Sequence, residues 1–376
     1  MATPRSRPSL LVLALAASLG PVGAAGEEAA GAEPPQPGGG GPPDAVATLL
    51  ERGQRALGRG DTAHALEDFD AAGKLEPRDA RPFYLRGLVF EAKGDPRAAE
   101  VAYRAALVRK PDFPEAHNNL GGLLLGRGEA ASAAREFEAA TRARAGYAEA
   151  TFNLGVARDA TGAIPEAVAA YREAVRLKPA DAGYRRNLGV ALRRAGDVNG
   201  AVLVLREAAR LGPTDAAIWT NLGMVESDRK DYDAAAASLE KATRLAPGGA
   251  LAWDRLARVE LRRGHPDRAV EAADRARKLA PGDAGFAADA CRTRIEQKNT
   301  ARAVAECRAA VALDARNPLA RYELIKALSA EGDCAGARQE LARFSSLAGV
   351  KPEATAEASA IARACSGGKP VAAPHP

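Results

Sequence analysis

Residues 216–249 read AAIWTNLGMVESDRKDYDAAAASLEKATRLAPGG. Trp219, Leu222 and Gly223 mark a first apolar stretch, Ala235, Leu239 and Ala242 a second, and Pro247 closes the segment. Proline lacks an N–H and cannot continue a helix. Pro77, Pro111, Pro179, Pro213, Pro247 and Pro281 keep a spacing of 34 residues, doubled once where Ala145 fills the slot. Glycine keeps the same beat in a second phase, at Gly60, Gly94, Gly128, Gly162, Gly196, Gly264 and Gly332, with Lys230 and Lys298 in the gaps. Asp61, Asp95, Asp197 and Asp333 follow directly. Glycine just past a helix end, then aspartate as the next N-cap, predicts a tight helix–turn–helix. Each unit is therefore expected to be two antiparallel helices.

Small residues inside the helices indicate how they touch. Gly53, Gly87, Gly121, Gly155, Gly189 and Gly223 share one phase, and Ala65, Ala99, Ala133, Ala167, Ala201 and Ala235 follow twelve residues later. A mid-helix glycine costs about 1 kcal/mol against alanine. Close helix approach is the expected reason, with Phe69, Tyr103, Phe137, Tyr171, Leu205 and Leu239 filling the space beside them.

These positions resemble the signature of the tetratricopeptide repeat (TPR). The resemblance covers about four-fifths of the chain and implies an all-α fold, a right-handed α-solenoid of tandem helix–turn–helix units with a concave inner groove. The array is expected over residues 44–351: seven clear repeats in 46–283, a degenerate eighth in 284–317 and a partial ninth in 318–351. Residues 352–366 are expected to form a capping helix, and 367–376 a tail that cannot pack. At the other end, Arg5 and Arg7 precede the apolar run Leu10–Leu19, too short for a bilayer span but suited to a secretory signal over 1–25. Residues 26–43 are a Pro/Gly-rich linker. An exported bacterial protein is expected, with the periplasm first and secretion as the alternative.

Composition bounds the function. Of 376 residues, 47% are hydrophobic but only 5% aromatic, which suits helices packed through small residues better than a large enzyme core. The net charge of +5 is spread among acidic residues rather than clustered, which argues against a nucleic-acid partner. His64, His117, His265 and His375 are isolated, and no phosphate loop, dinucleotide fingerprint or nucleophile elbow occurs. No catalytic residue, metal or cofactor is expected, and His117 is expected to be a helix-packing residue. Cys291, Cys307, Cys334 and Cys365 form an even set in a chain read as exported, where disulfides are expected. The repeat geometry implied by the resemblance places Cys291 opposite Cys307, in the slots of the packed glycine and the bulky residue, and Cys334 beside Cys365.

Asn119, Asn153, Asn187 and Asn221 recur one residue before the packed leucine of the first helix. The resemblance puts this phase on the concave side. An amide offers donor and acceptor together, so a ladder of amides suits the backbone of an extended peptide. The superhelix of O-linked N-acetylglucosamine transferases has a similar ladder, but their catalytic half has no counterpart here. The alternative is that the amides bond the neighbouring repeat and stiffen the stack. Leu88, Val156, Val190 and Met224, with Tyr84 and Phe152, make an apolar floor. Arg186, Arg193, Arg194, Arg255, Arg258 and Arg262 are expected to make one end basic. Arg186, Asn221 and Arg255 resemble three of the five positions with which some family members clamp a C-terminal carboxylate, whereas Val190 and Leu251 depart from the other two. The expected peptide-binding set is therefore Asn119, Asn153, Asn187, Asn221, Arg186, Arg193, Arg255, Tyr84 and Phe152. The function expected is a non-enzymatic scaffold of the cell envelope that holds an extended peptide or a partner's tail. A polysaccharide-binding accessory of an export or assembly machine is the alternative, and the sequence leaves the oligomeric state open.

Overall fold

The computed structural model of the chain describes residues 45–365, and the expected signal segment, linker and tail lie outside them. Among the described residues every regular element is a helix. They fall into two units, divided between Leu177 and Lys178. The first holds α1 (Ala45–Gly58), α2 (Thr62–Leu75), α3 (Arg81–Ala92), α4 (Pro96–Arg109), α5 (Pro114–Gly126), α6 (Ala130–Ala143), α7 (Ala148–Ala160) and α8 (Ile164–Leu177). The second holds α9 (Ala182–Arg194), α10 (Val198–Leu211), α11 (Ala216–Asp228), α12 (Tyr232–Leu245), α13 (Ala250–Arg262), α14 (Pro266–Leu279), α15 (Ala284–Glu296), α16 (Thr300–Leu313), α17 (Pro318–Glu331), α18 (Cys334–Ser345) and α19 (Pro352–Ala364). In each unit an odd-numbered helix packs on the even-numbered helix after it, and that one packs on the next pair. The result is an all-α solenoid of helix–turn–helix repeats.

The turn chemistry decides where each helix stops. Gly60, Gly94, Gly128, Gly162, Gly196, Gly264 and Gly332 have positive φ, the left-handed conformation that ends a helix. Lys230 and Lys298 hold the same conformation at φ 64° and 63°, so the turn is kept even where glycine is not. Asp61, Asp95, Asp197, Asp231 and Asp333 then accept a hydrogen bond from the backbone of the new helix's first turn.

Glycine's lack of a side chain sets the packing inside each pair. A Cβ on Gly121 would lie 2.7 Å from Phe137 Cε1, and Gly53, Gly87, Gly155, Gly189 and Gly223 face Phe69, Tyr103, Tyr171, Leu205 and Leu239 in the same way. Those bulky side chains are almost wholly buried. Each stabilises by roughly 1.5–3 kcal/mol through burial, which outweighs the helix penalty of its glycine. In α15 and α16, Cys291 and Cys307 take these two slots and lie at disulfide distance, with Cα atoms 5.2 Å apart. Cys334, at the start of α18, is paired in the same way with Cys365, just past α19, at a Cα separation of 5.4 Å. A loop of that length closed by a disulfide stabilises by roughly 3 kcal/mol. Below it, Ala358 and Ala362 of α19 are buried in the core that Leu324, Leu328 and Phe344 form.

A contact that sequence does not reveal recurs at the junctions between repeats. Trp219 and Trp253 each donate the indole N–H to the carbonyl six residues earlier, of Pro213 and Pro247, at 3.0 Å. His117 meets Pro111 at 2.7 Å and Arg321 meets Ala315 at 2.8 Å at the same offset, and Arg185 meets Pro179. These donors satisfy junction carbonyls that a helix end leaves without a partner. His117 therefore clamps the junction while packing between α5 and α6. Its other ring nitrogen lies 2.7 Å from Glu136. Burial works against its charge, but these two acceptors prevail and raise its pKa above the ordinary histidine value.

Candidate functional site

In the first unit the Asn phase lies on α5 and α7, and its amides are engaged with the protein itself. Asn153 Nδ2 donates to Asn118 Oδ1 at 3.0 Å, and Asn118 Nδ2 to Asn119 Oδ1 at 3.4 Å. Asn119 Nδ2 donates to the Tyr103 hydroxyl at 3.2 Å, which donates to Glu91 Oε2 at 2.6 Å. The chain of bonds crosses α7, α5, α4 and α3. Asn118 is its most buried amide, at 2% exposure, and sequence gives it no signal because it stands outside the recurring phase. Burial raises the pKa of Glu91, against the hydrogen bond from Tyr103. Burial likewise raises that of Tyr103 far above the ordinary tyrosine value.

The two aromatic candidates of this unit are packed rather than open. The Tyr84 ring lies 5.7 Å from that of Tyr103 and 4.9 Å from that of Phe113, centroid to centroid. Phe152 lies 5.5 Å from Tyr171. Both remain half-buried, so an edge of each still faces outward.

In the second unit the Asn phase lies on α9 and α11. Asn187 Nδ2 donates to Gly183 O of its own helix at 3.0 Å, and among the described residues its carbonyl oxygen takes no partner. Asn221 makes no side-chain hydrogen bond among the described residues, and it is half-buried with Met224 one turn further on. It therefore keeps its full capacity of two donors and an acceptor.

Four of the arginines expected to make one end basic are met by carboxylates. Arg186 lies 3.4 Å from Asp215, and Arg193 pairs with Asp228. Arg255 lies 3.5 Å from Asp254, and Arg258 lies 3.2 Å from Asp254 and also pairs with Asp289. At the Asn phase the residue series continues as Arg255, Asp289 and Glu323, so amides give way to charged residues. The cations are plain in the sequence, whereas most of their anions lie about one repeat away in the chain. That is beyond the local spacing that helix-surface rules survey.

This arrangement can hold hydrogen-bonding groups in register. Among the described residues no group of three or more His, Cys, Asp or Glu side chains is placed to hold a metal ion. Among them, too, no helix is long and apolar enough to cross a membrane.

No curated protein matches the chain. Among solved structures, it is similar to a chain of the APC/C hetero-tetramer Cut9–Hcn1, at 18% identity and a TM-score of 0.54, over 74% of this chain and 55% of that one. It is also similar to pilF of Pseudomonas aeruginosa, at 21% identity and a TM-score of 0.50, over 57% of this chain and 97% of that one. At such identities the likeness shows the fold alone. The tetratricopeptide repeat family model matches residues 50–112, 84–136, 123–182, 164–216 and 220–284, more than half of the sequence. The chain belongs to the tetratricopeptide repeat family.

Proposed function

We propose that this chain is a non-enzymatic scaffold of the cell envelope, and that its second unit holds an extended peptide or a partner's tail along the helix face of Asn187 and Asn221. Its repeat fold is that of protein–protein interaction scaffolds. The observation that carries the finer reading is the unspent hydrogen-bonding capacity of Asn221, in register with the free carbonyl oxygen of Asn187. A peptide backbone presents N–H and C=O groups at regular intervals, and amides can answer both without reading sequence. Val190 and Met224 beside them offer apolar contact, while Arg186 and Arg193, already ion-paired, set orientation more than affinity. In the first unit Asn119 and Asn153 serve the stack, and Tyr84 and Phe152 supply at most a flank.

Export is supported by the N-terminal apolar run after Arg5 and Arg7 and by four cysteines paired at disulfide distance. The test is a peptide array probed with the full chain and with Asn187→Ala/Asn221→Ala. Binding spread over many extended peptides, and weakened about tenfold in the variant, is expected. Binding to acidic polysaccharide instead, with none to peptides, would overturn the reading.

A further inference from the structure

The second unit carries a ladder of charges that ligand binding does not explain. Asp254 on α13, Asp289 on α15 and Glu323 on α17 come from successive repeats and are each at most 2% exposed. Arg258 reaches Asp254 and Asp289, Arg292 reaches Asp289 at 3.6 Å and Glu323 at 2.7 Å, and Lys326 reaches Glu323 at 3.3 Å. Cations and anions thus alternate across three repeats. Yet Asp254 Oδ2 and Asp289 Oδ1 are buried and accept no hydrogen bond, and the buried Arg258 Nε–H, 3.2 Å from Asp254 Oδ2, makes none. The two buried carboxylates therefore share Arg258, with only the longer contacts of Arg255 to Asp254 and Arg292 to Asp289 beside it, and acceptor capacity is left over.

Buried ionised groups are costly unless fully paired and hydrogen-bonded. A proton on Asp254 adds a donor of its own and removes one of the two buried negative charges. We propose that Asp254, buried beside Asp289 and sharing Arg258 with it, keeps its proton in the folded chain, and that losing it loosens the α13–α15 contact, making the stacking of these repeats responsive to pH.

Charged groups surround the pair on every packed helix. From α13 itself, Arg255 and Arg258 face it, and from α15 Arg292, with Glu323 and Lys326 of α17 behind it. Arg193 of α9 acts on Arg255 and is itself paired with Asp228 of α11. On another side of α13, Glu260 is engaged with Arg263 and His265 and with Arg268 of α14, which also meets Glu240 of α12. Burial first, and the Asp289 carboxylate second, push Asp254 up to about 7, although Arg258 and Arg255 pull the other way. A carboxyl raised above its unfolded value binds its proton more tightly in the folded state, so its contribution to stability falls as pH rises between the two values.

Hydrogen exchange of the full chain at about pH 5.5 and about pH 8.5, corrected for the intrinsic rate, tests this directly. Amides of α13 and α15 should exchange about tenfold faster at the higher pH, and Asp254→Asn should remove most of that difference. Infrared spectra give a readout that does not depend on the variant's stability. A protonated-carboxyl band should be present at the lower pH, fade at the higher, and be smaller in Asp254→Asn/Asp289→Asn. Equal protection of α13 and α15 at both pH values, or a band unchanged in the double variant, would overturn the proposal.

Discussion

Asn153 Nδ2 donates to Asn118 Oδ1 at 3.0 Å, joining two helices whose residues lie 35 positions apart. A repeated amide that looks like a ligand ladder is here, in one unit, part of the stack. Asn153→Ala should therefore cost about 1–3 kcal/mol, the cost of leaving a buried partner unsatisfied. Asn221→Ala has no bond to lose and should stay within about 0.5 kcal/mol of the parent. Denaturant unfolding of the two variants side by side checks this; equal losses would place both amides in the same structural role.

The glycine phase is steric. Gly121→Ala puts a methyl group into the Phe137 ring and should destabilise by about 1–3 kcal/mol despite alanine's better helix propensity. Gly126, near the end of the same helix, has open space where a methyl group would stand, with nothing within 4 Å, and Gly126→Ala should stabilise by about 0.5–1 kcal/mol. Thermal melts of opposite sign are expected.

Lys230 and Lys298 occupy left-handed turns that glycine fills elsewhere. Lys230→Gly should raise stability by about 1 kcal/mol by relieving that conformation, a gain partly offset by glycine's freer unfolded chain. Chemical denaturation with unchanged slope checks this.

Stability should have an optimum on the acid side of neutrality. Glu173 and Glu207, each hydrogen-bonded by an arginine, and Asp231, bonded by Arg229 and the Ala234 amide, have lowered pKa values. Their contribution is present above the unfolded carboxylate values, about 4, and is lost as pH falls through the folded ones. His117 has a raised pKa, so its contribution is complete below the unfolded histidine value and is lost as pH rises through the folded one. Asp254 adds to that loss on the way to about 7. A melting series across pH should rise from strong acid and then decline past neutrality. His117→Gln should flatten part of the decline.

Local chemistry is legible in the sequence: the glycine turns, the aspartate caps, the glycine–aromatic slots and the facing positions of Cys291 and Cys307 all follow from fixed offsets within one repeat. What escapes it is carried between repeats. Asn118 to Asn153, Arg258 to Asp289 and Arg292 to Glu323 are separated by 35, 31 and 31 residues. Such pairs are one period plus one residue or minus three, and composition shows them only as scattered polar and charged residues. The indole and imidazole donors six residues past the junction are also hidden, because tryptophan, histidine and arginine share the slot without resembling one another.

The most direct test replaces Met224, beside Asn221, with a photo-crosslinking residue in the full chain within its native cells, and identifies what is captured by mass spectrometry. Captured segments should be extended stretches of protein, and their yield should fall about tenfold when Asn187→Ala/Asn221→Ala is added. Undiminished capture in that variant, or capture of no protein at all, would contradict a peptide-holding role for this face.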